Sequence, residues 1–280
     1  MKYLIIWRHR DSYPIQVMCR FFGVSRSGYY DYVNRMDRPD RDEPLSTRIA
    51  ECQKKSRKTY GYRRVHIWLE RQGIHHNPKT VLRVMRKYGL LSEVRRRKKY
   101  RTMGQQLHRY DNVLNRDFTA VQPNQKWVTD ISYIHTSQGV LYLSVIRDLF
   151  DNSIVAHRTA IQQTVNLVLN TVKDAHRKRA AAEEIHLHSD QGFQYTSHAY
   201  FSLTKGYGIT PSMSRRGNCY DNAMAENFFS ILKSECIYRQ KILSFQHAVE
   251  LIDDYIWFYN NERIQLSTKL TPLEKRRQFP

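Results

Sequence analysis

Three acidic residues in the second half of the chain occur in settings that suit metal-dependent phosphoryl transfer. Asp130 lies in the apolar, β-branched run 126–134, which predicts a buried strand. Asp190 ends a second apolar run, immediately before a Gln-Gly pair typical of a turn. After a gap of 35 residues, Glu226 lies in segment 220–235, which predicts a helix. Carboxylates from a strand middle, a strand end and a helix can converge on one point.

The chemistry of such a cluster follows from the ligand preferences of metal ions. Mg²⁺ is a hard cation that takes oxygen ligands. Two such ions about 3.5–4 Å apart can stabilise the attacking and leaving oxygens of a displacement at phosphorus. An unpaired carboxylate in a buried strand is costly, so we expect Asp130 to be paired or metal-bound. Singly, each acid has an ordinary explanation as a hydrogen-bonded strand residue, a turn residue or an exposed helix residue; the three settings together favour catalysis.

The segments around these acids resemble a known family. They read Trp127-Val-Thr-Asp130-Ile-Ser-Tyr-Ile, His188-Ser-Asp190-Gln-Gly-Phe-Gln-Tyr195 and Gly217-Asn-Cys-Tyr-Asp221-Asn222-Ala-Met-Ala-Glu226-Asn-Phe-Phe-Ser-Ile-Leu-Lys233-Ser-Glu235. They are similar to the catalytic core of bacterial insertion-sequence transposases of the DDE class (orfB type), relatives of retroviral integrases. The 35-residue gap is typical of that family, as is a basic residue seven positions after the glutamate, here Lys233. Seven residues is close to two helical turns, so Glu226 and Lys233 share a helix face.

The resemblance implies a fold and an activity. The fold would be α/β, an RNase H-like integrase core with a mixed five-stranded sheet and helices on both faces, preceded by all-α helix-turn-helix modules. Asp130, Asp190 and Glu226 would be the catalytic residues and the ligands of two Mg²⁺ or Mn²⁺ ions per active site. The enzyme would be a polynucleotidyl transferase that binds insertion-sequence ends, cuts them and transfers the strands to a target. An RNase H-type nuclease and a non-catalytic DNA-binding regulator are the alternatives.

The charge distribution supports a nucleic-acid partner. The chain has 280 residues with a net charge of +20. Residues 1–117 hold 28 Lys and Arg against 11 Asp and Glu, whereas residues 118–280 hold 18 against 15. A basic first half suggests a nucleic-acid-binding region attached to a catalytic domain. We expect neither a membrane span nor a signal peptide, because no apolar run is long enough. Four scattered cysteines without a Cys-x-x-Cys pair indicate a reducing compartment and no zinc knuckle.

Turn signals and helical periodicity divide the chain into five predicted segments. Gly23 can close a first helix, and Ser25 can cap the next. Asn77 followed by Pro78 is a strong helix-start signal. The segments are a small helix-turn-helix module at 1–36, a helix-turn-helix-like DNA-binding domain at 45–92, a basic linker at 93–117, an RNase H-like integrase catalytic core at 118–240 and a C-terminal helical extension of the core at 241–280.

Basic residues in four places are predicted to contact DNA. The helix 79–88 presents three of them outward and would enter a groove. The cationic run after it would order on phosphates and give affinity with little sequence information. A loop before the Glu226 helix, and Lys233 itself, would hold DNA at the site. These residues are Arg83, Arg86, Lys87, Arg95, Arg96, Arg97, Lys98, Lys99, Arg215, Arg216 and Lys233.

Other polar residues are expected to be structural. Asp148 and Asp151 flank a tight connection and are read as turn residues, and Asp221 or Asn222 should cap the Glu226 helix. The ending Tyr-Asn-Asn-Glu-Arg263, followed by Leu-Thr-Pro-Leu-Glu, is typical of the resembled family but has no evident chemistry. We expect this ending to pack against the core, with DNA or partner contacts also open.

The resemblance also implies partners and a location. They are double-stranded DNA, as element ends and target, and further copies of the chain in a homo-oligomer on DNA. A fusion to, or partnership with, an upstream helix-turn-helix protein is compatible with the abrupt start at Met1. We expect a bacterial cytoplasmic protein associated with the nucleoid.

Overall fold

The computed structural model describes most of the chain and leaves short gaps. The described ranges are residues 2–36, 40–93, 110–115, 117–178, 184–215 and 223–279. No helix in these ranges is long and apolar enough to cross a membrane.

The chain begins with three short helices around their own small core. They are α1 (Lys2–Arg8), α2 (Ile15–Phe22) and α3 (Arg26–Met36), and Ile6, Met18, Cys19 and Tyr29 are buried between them. Gly23 adopts a positive φ of 61° and ends α2, as predicted. Ser25 accepts a hydrogen bond from the Gly28 amide at 3.1 Å, so the predicted cap of α3 is also confirmed. The sequence reading did not anticipate α1.

A second group of three helices follows. They are α4 (Glu43–Lys55), α5 (Tyr62–Glu70) and α6 (Pro78–Lys87), called here the helical module. The Asn77 side chain accepts a hydrogen bond from the Lys79 amide at 2.9 Å, which confirms the predicted start of α6. Val81, Val84 and Met85 form the buried face of α6. Leu82, the residue after Val81, is only partly buried.

The second half of the chain is built on one mixed sheet. Its strands are β1 (Lys126–Thr136), β2 (Gly139–Asp148), β3 (Ile154–Ala160), β4 (Ile185–Ser189) and β5 (Ile209–Met213), in the order β3-β2-β1-β4-β5. The first three strands pair antiparallel, and β4 and β5 run parallel to β1. The predicted five-stranded mixed sheet is therefore confirmed.

Helices cover both faces of the sheet. Helices α7 (Val165–Lys178) and α8 (His198–Gly206) pack with Trp127, Ile146 and Leu187 in one hydrophobic cluster. Helices α9 (Ala223–Glu235) and α10 (Phe245–Asn261) pack in another with Ile134 and Leu143. Because side chains alternate along a strand, these clusters lie on opposite faces. The second cluster also contains buried residues of α4, α5 and α6, so the helical module shares a core with the sheet, α9 and α10.

The C-terminal segment ties the β2–β3 connection to the rest of the fold. Asp148 accepts a hydrogen bond from the Phe150 amide and Asp151 accepts one from the Ser153 amide, so their predicted turn roles are confirmed. Both carboxylates are fully buried and pair with Arg276 on the last helix, α11 (Pro272–Arg277). Burial, and then the neighbouring Asp151 charge, raise the pKa of Asp148 to about 6 despite the Arg276 guanidinium.

We predict that Arg276→Met lowers the free energy of unfolding by about 3 kcal/mol, because it leaves two buried carboxylates without their cation. The loss should shrink as the pH falls through about 6, where Asp148 takes up a proton. Denaturant unfolding at pH 5 and pH 8 measures both effects. Arg277→Met is the matched control, because Arg277 is an exposed residue on the same helix. Equal losses for the two variants would contradict the prediction.

Candidate active site

Parallel pairing of β1 with β4 aligns the first two predicted catalytic residues. The register of this pair runs up to Val128 opposite His188. Asp130 lies two residues further along β1, and Asp190 is the residue after the end of β4, so both lie just beyond the paired segment. Neighbouring strands are about 4.8 Å apart, and residues of matching position point to the same side. The sheet therefore brings together two carboxylates that are 60 positions apart in the sequence.

These two residues line a cavity of about 210 Å³. Backbone amides orient both carboxylates: Asp130 Oδ1 accepts a hydrogen bond from Ile131 at 2.7 Å, and Asp190 Oδ1 accepts one from Gly192 at 2.9 Å. The predicted Gln-Gly turn after β4 thus has a direct role in holding Asp190. The other residues lining the cavity are Ile131, Gly192, Gln163, Phe193, Gln194 and Tyr195.

Sequence reasoning did not assign Tyr195, Phe193 or Gln163 to the site. Tyr195 is buried, and its hydroxyl lies 3.3 Å from Thr129 Oγ1 on β1. Burial raises the pKa of Tyr195 well above its usual value, and the negative charges of Asp130 and Asp190 raise it further. Tyr195 and Phe193 lie in the quoted motif around Asp190, so their closeness in sequence was an available signal. Gln163 lies between β3 and α7, far from the motifs in sequence, and carries no such signal.

The third acid, Glu226, lies in the first turn of α9. Loss of hydration raises the pKa of Glu226, and the charge of Asp190 raises it further, so the two carboxylates interact electrostatically. Burial likewise raises the pKa of Asp190, although its hydrogen bond from Gly192 opposes the shift. Burial is the larger cause of both shifts, so the contacts within the protein do not fully replace the hydration that each carboxylate loses.

Lys233 lies two turns after Glu226 on α9 and is only 9% exposed. Its ammonium group sits over the ring of Tyr133, 4.8 Å from the ring centre. Burial lowers the pKa of Lys233, and the charge of Asp130 opposes that shift. The structure therefore brings Lys233 close to the acidic site, as its predicted helix face requires.

The donor set suits a hard divalent cation. Carboxylate oxygens are the ligands that Mg²⁺ and Mn²⁺ prefer, and Asp130 and Asp190 share one cavity. Across the described ranges, however, no three His, Cys, Asp or Glu side chains are close enough to hold one ion together. Asp130 and Asp190 thus fit a metal site as they stand, whereas Glu226 is coupled to it through charge.

The predicted DNA-binding residues on α6 are already engaged. Asp42 accepts two hydrogen bonds from Arg83, both at 2.7 Å, and one from Lys87 at 3.0 Å. Lys87 also pairs with Asp40 at 2.6 Å. These bonds from Arg83 and then Lys87 lower the pKa of Asp42. Two outward cations of the predicted recognition helix are therefore neutralised within the protein.

The remaining predicted cations divide into two groups. Arg86 and Arg215 are exposed. The other predicted cations lie outside the described residues: Arg95, Arg96, Arg97, Lys98, Lys99 and Arg216. The predicted helix caps Asp221 and Asn222 also lie outside them.

Three family models match the chain. An HTH-like domain matches residues 39–99, and two integrase core domain models match residues 120–219 and 226–279. The integrase core family is generally dependent on divalent metal ions. The helical module thus coincides with the HTH-like match, and the sheet and its covering helices coincide with the integrase core matches.

Whole-chain relatives are insertion-sequence proteins. The chain is 39% identical over 272 residues to a protein described as a transposase, InsK, for insertion sequence element IS150 of Escherichia coli (strain K12). The match covers 96% of this chain and 95% of the relative. The chain is 34% identical over 269 residues to the transposase InsF for insertion sequence IS3A of the same organism, with 91% of each covered.

A solved structure shares the fold. It is a cryo-electron-microscopy structure of a simian T-cell lymphotropic virus intasome in complex with the PP2A regulatory subunit B56 gamma. The TM-score is 0.50 at 16% identity, over 83% of this chain and 76% of that chain. At this identity the likeness shows the fold alone.

The sheet order, the covering helices and the matching models define an enzyme of the polynucleotidyl transferase class with an integrase core. The identity to InsK and InsF over more than nine-tenths of the chain narrows the class further. The chain belongs to the insertion-sequence transposase family, and its function is DNA transposition and integration.

We predict that Asp42→Asn raises the affinity for duplex DNA about threefold to tenfold at low salt, because it releases Arg83 and Lys87 to phosphates. The slope of log K against log salt should steepen by about 1–2 for the same reason. Fluorescence anisotropy across a salt series measures both quantities. Glu51→Gln is the matched control, since it removes another paired carboxylate of the helical module. An equal gain in DNA affinity from Glu51→Gln would mean that the gain comes from the change in net charge and not from the release of Arg83 and Lys87.

Proposed function

We propose that this transposase cuts DNA at insertion-sequence ends and joins the freed strands to a target at a site formed by Asp130, Asp190 and Glu226. The observation that carries the proposal is that Asp130 and Asp190 line one cavity, just beyond the paired segment of the parallel strands β1 and β4. Two carboxylates in one cavity supply the negative charge that would hold the metal ions of a phosphoryl-transfer site.

The three carboxylates would hold two divalent ions, Mg²⁺ or Mn²⁺. When bound, these ions would supply the positive charge that activates an attacking oxygen and stabilises the leaving one. The amides of Ile131 and Gly192 keep the carboxylates of Asp130 and Asp190 in fixed orientations. Glu226 would complete the site from α9, since its charge already interacts with that of Asp190.

Cleavage would leave a 3′-hydroxyl at the element end, and that hydroxyl would attack a target phosphodiester at the same site. One phosphodiester replaces another, so strand transfer needs no ATP. By family resemblance, excision would pass through a circular intermediate. Lys233 would contact the backbone of the terminal DNA beside Tyr133, the exposed residue whose ring lies under the Lys233 ammonium group. Because Lys233 is only slightly exposed, DNA could reach it only at this position.

The other proposed contacts serve binding. Exposed Arg86 and Arg215 would contact DNA beside the helical module and the catalytic site, together with Arg83 and Lys87 once released from Asp42. The basic run Arg95, Arg96, Arg97, Lys98 and Lys99, with Arg216, would add phosphate contacts. The active form would be a homo-oligomer that bridges both element ends, with a fused or separate upstream helix-turn-helix product as a further partner.

We predict that Asp190→Asn lowers strand transfer by roughly a hundredfold to a thousandfold, because it removes a carboxylate that would hold the divalent ions, whose positive charge would stabilise the transition state. Labelled DNA carrying the element ends is incubated with Mg²⁺, and joined product is measured at equal DNA binding. Asp253→Asn, an exposed residue of α10 paired with His157, is the control with the same chemical change.

Joined product from Asp190→Asn at the wild-type rate would refute the assignment of the site. Cleavage without joining by the wild-type protein would favour the nuclease alternative. DNA binding without either reaction would favour the regulator, unless fusing the chain to the upstream product restores joining.

We predict that Mn²⁺ raises the free energy of unfolding of the wild-type protein by about 1.4 kcal/mol when free metal is tenfold above its dissociation constant. The double variant Asp130→Asn, Asp190→Asn should show no such gain. Protons compete with metal for the carboxylates, and the pKa values of Asp190 and Glu226 are raised. The gain should therefore fall as the pH is lowered, beginning above the usual carboxyl range. Thermal melting with and without Mn²⁺ measures it, and an equal gain in the double variant would contradict a metal site here.

A further inference from the structure

Two sequence features have no part in the chemistry proposed above: Glu235 at the end of the α9 motif, and Arg263 in the C-terminal ending. We propose that Glu235 and Arg263 form a positioning pair that fixes α9, and with it Glu226, relative to the helical module. The inference rests on the proposed role of Glu226 in catalysis. It concerns residues that touch neither DNA nor metal and that act through the helix carrying Glu226.

The pair has a directional geometry. Arg263 donates two hydrogen bonds to the Glu235 carboxylate, from Nε to Oε2 at 2.8 Å and from Nη2 to Oε1 at 2.7 Å. The Tyr255 hydroxyl on α10 donates a third, to Oε2 at 2.7 Å. A bidentate guanidinium–carboxylate contact fixes both the distance between the two groups and their relative orientation.

Burial makes this geometry strict. The Glu235 and Arg263 side chains are only 7% and 5% exposed. Burial by itself raises the pKa of Glu235, but the hydrogen bonds and charge of Arg263 outweigh it and hold that pKa below its ordinary value. Both groups are therefore charged at neutral pH, and neither can turn to water without breaking the contact. Apolar residues could fill the same space with similar stability but would not impose one orientation.

The pair continues into the helical module. Glu262 and Ile264 flank Arg263, and Tyr60 bonds to both of them: its hydroxyl donates to the Glu262 carbonyl at 3.0 Å and accepts from the Ile264 amide at 2.8 Å. Arg64 on α5 donates to the Ile264 carbonyl at 3.0 Å. A continuous set of polar contacts thus joins the helical module to the last residue of α9.

The position of Glu235 explains how it would act on the site. Glu235 is the last residue of α9, and Glu226 is in the first turn. Nine residues of α-helix span about 14 Å, and a helix of this length moves as a rigid rod. Phe228 and Leu232, two other buried residues of α9, make apolar contacts that have no fixed direction. Arg147 donates a hydrogen bond to the Met224 carbonyl in the first turn, at 2.6 Å. The Glu235 contact adds a second directional contact at the other end of α9, and the two together would fix the orientation of the helix that carries Glu226.

The test uses Glu235→Gln in the full chain, with Asp254→Asn as the matched control. Asp254 on α10 pairs with Arg57, which lies between α4 and α5 of the helical module, at 2.9 Å. Unlike Glu235, Asp254 is exposed and lies outside α9. Hydrogen–deuterium exchange of α9 amides, affinity for element-end DNA and the single-turnover rate of strand transfer are measured for both. For Glu235→Gln we expect faster exchange in α9, DNA affinity within twofold of wild type, a rate at least tenfold lower and a higher Mn²⁺ requirement. The control should match the wild type in all four.

Arg263→Lys distinguishes the effect of the contact's geometry from the effect of its charge, because lysine keeps the positive charge but cannot make the bidentate contact. A positioning role predicts that Arg263→Lys loses rate as Glu235→Gln does. A wild-type rate for Arg263→Lys would overturn the inference, as would wild-type α9 exchange and rate in Glu235→Gln. If the rate of Glu235→Gln recovers fully at a temperature further below its melting point, the pair is only structural and the inference fails.

Two provisions keep the test decisive. If Glu235→Gln does not fold, Tyr255→Phe, which removes a single hydrogen bond to the carboxylate, replaces it with the same expected directions. Failure of the proposed function is recognised separately, by undiminished strand transfer in Glu226→Gln. The exchange of α9 amides, by contrast, reports on the pair without reference to activity.

Discussion

The parallel pairing of β1 with β4 is the interaction on which the rest of the site depends. The paired segment ends just before Asp130 and Asp190, which line one cavity, and the amides of Ile131 and Gly192 orient the two carboxylates. Burial removes the water that would hydrate the Asp190 carboxylate, so the pKa of Asp190 is raised. The fold must therefore stabilise an arrangement that the local electrostatics oppose, and a bound cation is the natural counter-charge.

The C-terminal segment contacts both the helical module and the sheet. Arg276 holds the buried pair Asp148 and Asp151 at the β2–β3 connection, and Arg263 holds Glu235 at the end of α9. A hydrophobic core shared by α4–α6, α9 and α10 surrounds these ion pairs. Apolar packing is non-directional, whereas the buried ion pairs add contacts of defined geometry.

The helical module illustrates a different use of charge. Its predicted groove-facing cations, Arg83 and Lys87, are paired with Asp40 and Asp42 in the protein alone. If Arg83 and Lys87 contact DNA as proposed, phosphates would have to compete with these carboxylates. That competition would weaken binding to arbitrary DNA and leave more of the affinity to contacts that depend on the correct sequence.

Local sequence determined the elements and the candidate acids. An apolar, β-branched run predicted the strand that carries Asp130, and the family resemblance implied the five-stranded sheet. Asn77 and Gly23 predicted helix ends, and the spacing of Glu226 and Lys233 predicted their shared helix face. These features depend on neighbours along the chain. Only the tertiary structure decided the register of β1 against β4, the entry of Tyr195 into the cavity, and the pairing of Glu235 with Arg263 and of Arg83 with Asp42. Such contacts join residues 28 to 66 positions apart, and no local pattern specifies which partner a buried charge will meet.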